Sequence, residues 1–99
     1  MFVVLVNYVK PLAEVDAVLA AHGRFLDGLY ASGVLLASGR RVPRTGGIIL
    51  ARAESREQLA EILARDPFVL AGVAEYEIVE FLATKTAPEL DFLRDAPAQ

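Results

Sequence analysis

The chain has 99 residues, 55% of them apolar, with no cysteine, a single histidine and a formal net charge of −3. That length suits one small domain, and the lack of cysteine excludes disulfides, thiolate chemistry and sulfur-ligated metals. A pI near 5.0 argues against a nucleic-acid partner, and no apolar run is long enough to span a bilayer.

Phe2 to Val9 reads as a strand, because β-branched and aromatic residues dominate it and Lys10-Pro11 stops it. Phe2, Val4, Val6 and Tyr8 form one face and Val3, Leu5 and Val9 the other, so both faces need a cover. Helices of the same chain can supply one cover and a second subunit the other. The high apolar share supports that reading, so a homodimer or higher homo-oligomer is expected. The N-terminus lacks the basic segment and apolar core of a signal peptide, which leads to an expectation of a cytoplasmic protein.

From Leu12 to Ser32 the apolar positions Leu12, Val15, Val18, Leu19, Phe25, Leu26, Leu29 and Tyr30 gather on one side at helical spacing. Pro11 suits the first turn of this helix, and Gly33 suits a left-handed cap after it. His22 lies inside the apolar stripe. It is either a core histidine satisfied by its neighbours or a general base lifted into a cleft.

Val34 to Gly39 and Gly46 to Ala53 read as two further strands, joined by a loop that carries Arg40, Arg41 and Arg44. These arginines either bind an anionic group or keep a hairpin solvated. Ser38-Gly39 offers a hydroxyl and an approachable amide, or simply ends a strand. Gly46-Gly47 is read as turn chemistry. Ser55 and Gln58 have the spacing of a capping box for a helix that runs to about Ala64.

Asp66-Pro67-Phe68 interrupts that helix, since the residue before proline is pushed out of the α region. Asp66 is either the N-cap of a further turn or the acid that orients His22. Val69 to Gly72 can form that turn before a last strand, Ala74 to Leu82, in which Tyr76 and Ile78 share a face. The tail from residue 84 to 99 shows no clear period. Its Leu90, Phe92 and Leu93 are expected either to dock on a neighbouring subunit or to remain mobile.

The order β-α-β-β-α-β, with right-handed crossovers, predicts an α+β, ferredoxin-like domain over residues 1–83: a four-stranded antiparallel sheet with two helices on one face. One histidine, without a carboxylate pair at ligand spacing, gives no reason to expect a metal or other cofactor.

The apolar strand ending at Asn7-Tyr8, Ala21-His22, Leu35-Leu36-Ala37-Ser38-Gly39, Gly46-Gly47 and Asp66-Pro67-Phe68 followed by Ala71-Gly72-Val73 together resemble the YciI-like proteins over residues 1 to 82. The resemblance implies a subunit of a dimeric α+β barrel, with His22 and Asp66 meeting as a catalytic dyad in a cleft. Ser38, Gly39, Arg40, Arg44, Pro67 and Phe68 are then expected around the substrate. Gly39-Arg40 stands where many members have Gly-Pro. The function expected is general acid/base chemistry, such as a lyase or dehydrochlorinase-like step, on a small polar or aromatic and possibly anionic substrate. The alternative is a non-catalytic protein that binds a small ligand in the same cleft.

Overall fold

Strand β1 (Phe2–Tyr8) lies inside the sheet, where a strand apolar on both faces belongs, paired antiparallel with β3 (Gly46–Ala51) on one side and β4 (Ala74–Glu80) on the other. β2 (Leu35–Arg40) adds to the far edge of β3, giving the order β2-β3-β1-β4. The computed structural model describes residues 1–95. Three helices connect these strands: α1 (Leu12–Ala31), α2 (Arg56–Leu63) and the single turn α3 (Pro67–Leu70). The domain is an α+β, ferredoxin-like sheet with its helices on one face.

The period of two along β1 decides which side chains enter the core. Phe2, Val4 and Val6 are buried with Val15 of α1, Leu59 and Leu63 of α2 and Phe68 of α3. Burying side chains of this size stabilises the fold by about 1.5–3 kcal/mol each. The second sheet face carries Val3, Leu5, Ile48, Leu50 and Val79, in register across the three strands and none of them fully buried. No helix of the described residues is long and apolar enough to cross a membrane.

The helix ends follow the local chemistry. Gly33 has φ +83° and lets the amide of Val34 reach back to the carbonyl of Leu29, closing α1; Gly72, at φ +70°, closes α3 in the same way through Val73 and Phe68. Pro11 is the N-cap of α1 and not part of its first turn. The Ser55 hydroxyl accepts from the amide of Gln58, while Gln58 Oε1 accepts from the amide of Glu54, one residue earlier than a capping box requires. Leu12, Leu19 and Tyr30 of the predicted α1 stripe stay more than a third exposed, because they sit at the margins of the contact with the sheet.

After β4 the chain passes along the end of the sheet into a short 3₁₀ segment, Pro88–Leu93. Leu93 is buried on its own chain, whereas Leu90 and Phe92 are exposed. Asp95 secures this segment by accepting from the amide of Ala83 at 2.7 Å and facing the N-terminal amine at 3.6 Å. The remainder of the tail, 96–99, lies outside the described residues.

Candidate functional site

Asp66 precedes a proline and is therefore held extended, at φ −62° and ψ 132°, with Pro67 at the start of α3. Its Oδ1 accepts from the amide of Phe68 at 2.8 Å, which caps the helix. The same carboxylate faces α1, where Nδ1 of His22 lies 2.9 Å from both Oδ1 and Oδ2. The cap and the partner of His22 are thus a single group. Packing of α1 against α3 brings residues 44 positions apart into contact.

A third group completes the arrangement. The phenol of Tyr76, on the core face of β4, donates to Oδ2. Burial, and then the hydrogen bond to Asp66, push this phenol well above its ordinary range, so it stays protonated and can serve as a donor. The Phe68 amide and the Tyr76 hydroxyl both donate to this fully buried carboxylate. An ionised Asp66 can only accept, so a neutral His22 bonded to it carries its proton on Nδ1 and its lone pair on Nε2. Nε2 makes no hydrogen bond among the described residues.

The imidazole plane is fixed as well as its tautomer. Phe68 stacks on it at 3.7 Å between centroids and 3° between planes, and Tyr8 meets Phe68 edge-on at 5.9 Å. His22 lines a cleft of about 180 Å³ between α1 and the β2–β3 end of the sheet, with Tyr8, Leu19, Leu26 and Phe68 among its walls.

Ser38, Gly39 and Arg40 line the same cleft. The Ser38 hydroxyl is bonded to Tyr30 at 2.5 Å. Gly46 and Gly47 also line it, not as turn residues but as the first pairs of the β1–β3 ladder. A Cβ on Gly46 would stand 1.8 Å from the Val6 carbonyl, so only glycine allows β3 to approach β1 there; one on Gly47 would lie 3.0 Å from the Gly39 carbonyl.

The three loop arginines separate. Arg40 lines the cleft and makes no ion pair or side-chain hydrogen bond among the described residues. Arg41 donates to Asn7 at 2.8 Å. Arg44 is engaged by Asp16 at 2.5 Å, which holds the Asp16 carboxyl below its ordinary value, and its guanidinium lies 5.9 Å over the ring of Tyr8. Neither Arg44 nor Pro67 is among the cleft-lining residues. Tyr76 and Tyr8 were absent from the sequence-derived site. The available signal for Tyr76 was a tyrosine on the inward face of a strand, whose hydroxyl requires a partner. No group of three or more His, Asp or Glu side chains among the described residues is arranged to hold a metal ion.

The model of the YCII-related domain matches residues 1–82. The uncharacterized protein YjpA of Bacillus subtilis (strain 168) is 39% identical over 67 residues, covering 68% of this chain and 79% of YjpA. Among solved structures, the 5-chloro-2-hydroxyhydroquinone dehydrochlorinase (TftG) of Burkholderia phenoliruptrix AC1100, in complex with 2,5-dihydroxybenzoquinone, superimposes with a TM-score of 0.65. The likeness covers 82% of this chain and 93% of that one at 21% identity, and it is a likeness of fold.

Proposed function

The chain belongs to the family of YCII-related domains, and from that premise we propose that it is a small-molecule enzyme in which His22, oriented by Asp66, acts as a general base. The observation that carries this reading is the division of labour on one imidazole: Nδ1 is held by a buried carboxylate, and Nε2 is free on a ring that lines a cleft. In an elimination, Nε2 takes a proton from the substrate, the electron pair forms a new π bond and the leaving group departs as an anion. Asp66 stabilises the imidazolium until the proton passes to solvent.

The dehydrochlorinase neighbour makes chlorinated and hydroxylated single-ring aromatics the first substrates to try. The fully satisfied hydrogen bonds of Asp66 also suit a non-catalytic pair that only shapes a binding cleft, and substitution separates the two readings. His22→Ala should lower turnover of any substrate found by about 10²- to 10⁴-fold with the oligomer intact. Full activity in that variant refutes the dyad. Loss of stability in the absence of any turnover by wild type across the panel supports the non-catalytic reading.

We further propose that the uncovered sheet face packs on a second copy of the chain. The support is the apolar patch of Val3, Leu5, Ile48, Leu50 and Val79, which a monomer would leave in water.

A further inference from the structure

The cleft beside His22 carries a second chemical signal. Arg40, the exposed last residue of β2, is the one of the three arginines that lines the cleft, and it is also the one without an acidic or amide partner among the described residues. Arg41 is held by Asn7 and Arg44 by Asp16. The cleft contains no carboxylate among its lining residues to neutralise that guanidinium. Close by, the hydroxyls of Ser38 and Tyr30 are bonded to each other, so whichever of the two accepts still has its own proton to donate.

The rest of the cleft sets shape and size. Tyr8 and Phe68 contribute aromatic surface, Val6, Leu19, Leu26 and Ile49 aliphatic surface, and Gly39, Gly46 and Gly47 no side chain at all. A cavity of about 150 Å³ accommodates benzene. The 180 Å³ present here matches one six-membered ring with small substituents, and a larger ligand would extend past its open side into solvent.

We propose that the cleft binds a single-ring anion, a carboxylate or acidic phenolate, with the anionic group on Arg40 and the Ser38 side and the ring between Tyr8, Leu26 and the glycines. The guanidinium fork suits a planar two-oxygen group, and a charge-assisted pair of that kind at a half-open site is expected to favour the anion over a neutral isostere by roughly tenfold. This rests on reading the cleft as the substrate site, and it adds that the substrate bears a negative charge, held by groups other than His22.

The test is titration of the full chain with benzoate, 2,5-dihydroxybenzoate, benzamide and 2-naphthoate, followed by amide NMR. The expected result is that the two single-ring carboxylates shift the amides of Gly39, Gly46 and Gly47, that benzamide binds roughly tenfold more weakly, and that 2-naphthoate binds no more tightly than benzoate, its second ring left in solvent. Arg40→Gln should abolish the preference for benzoate over benzamide, while Arg41→Gln, which removes the same charge from the same loop, should retain it. Equal affinity for benzoate and benzamide, equal loss in both arginine variants, or no carboxylate binding at millimolar concentration overturns the proposal. Turnover of a neutral ring that depends on His22 but not on Arg40 overturns the anion site and leaves the dyad standing. Arg40-dependent binding without His22-dependent turnover does the reverse.

Discussion

Asp66→Asn tests the site most directly, because it preserves shape while removing charge. Asparagine offers one acceptor oxygen and one amide that only donates. With its oxygen in the place of Oδ1 it still receives the Phe68 amide, so the cap of α3 survives. The amide then faces Tyr76, whose hydroxyl can turn to accept, while Nδ1 of His22, 2.9 Å from both positions, meets one acceptor and one donor in place of two acceptors. The Nδ1–H tautomer loses its exclusive support, and the imidazolium loses its counter-charge. The expected result is a fall of roughly 10²- to 10⁴-fold in turnover on a nearly intact protein. Exchanging charge-assisted bonds for neutral ones should cost about 1–2 kcal/mol, with the melting temperature falling by roughly 4–8 °C for each kcal/mol. Asp66→Ala, which strands three donors in the interior, should cost about 3–5 kcal/mol. His22 is the only histidine in the sequence, so its ring ¹⁵N shifts report the tautomer without ambiguity. A variant as fast as wild type, whichever tautomer its His22 shows, refutes the reasoning.

The raised ionisation of Tyr76 predicts a loss of stability in alkali. Above pH ~10 the unfolded chain releases this proton while the folded chain retains it, so the contribution is complete below that pH and declines by up to about 1.4 kcal/mol per pH unit above it. Urea midpoints between pH 9 and 11.5 should fall more steeply for wild type than for Tyr76→Phe; equal slopes would show that the buried phenol is not responsible. For the uncovered face, light scattering at micromolar concentration should give at least a dimer for wild type and a monomer for Leu5→Lys. A wild-type monomer would remove the case for a second copy on that face.

Much of the fold could be read from local pattern. The apolar period of two in β1 marked its core face, the 3.6-residue period marked α1, and Gly33, Ser55 and Asp66-Pro67 marked helix ends, all through interactions within a few residues of sequence. Element boundaries moved by one or two residues, as at the end of β3, because ladder pairing and not local preference decides where a strand stops. The tail was less legible. Leu93 is buried and Asp95 is held by Ala83 and the N-terminus, neither of which leaves a periodic trace in the sequence.

The site divides along the same line. Sequence alone supplied the residue types: one histidine on an apolar stripe, an Asp-Pro turn and three arginines in one loop. It left cap and partner of His22 as competing readings of Asp66, since spacing cannot express that one carboxylate with two oxygens makes both contacts. Tertiary structure brings both contacts to one group by packing α1 on α3. It also added the Tyr76 hydroxyl from β4 and sorted Arg40, Arg41 and Arg44 by the partners that each one meets. The physical reason is that the periods of helix and strand are written in near neighbours, whereas the hydrogen bonds of a buried carboxylate are satisfied by whichever donors the packed elements bring to it.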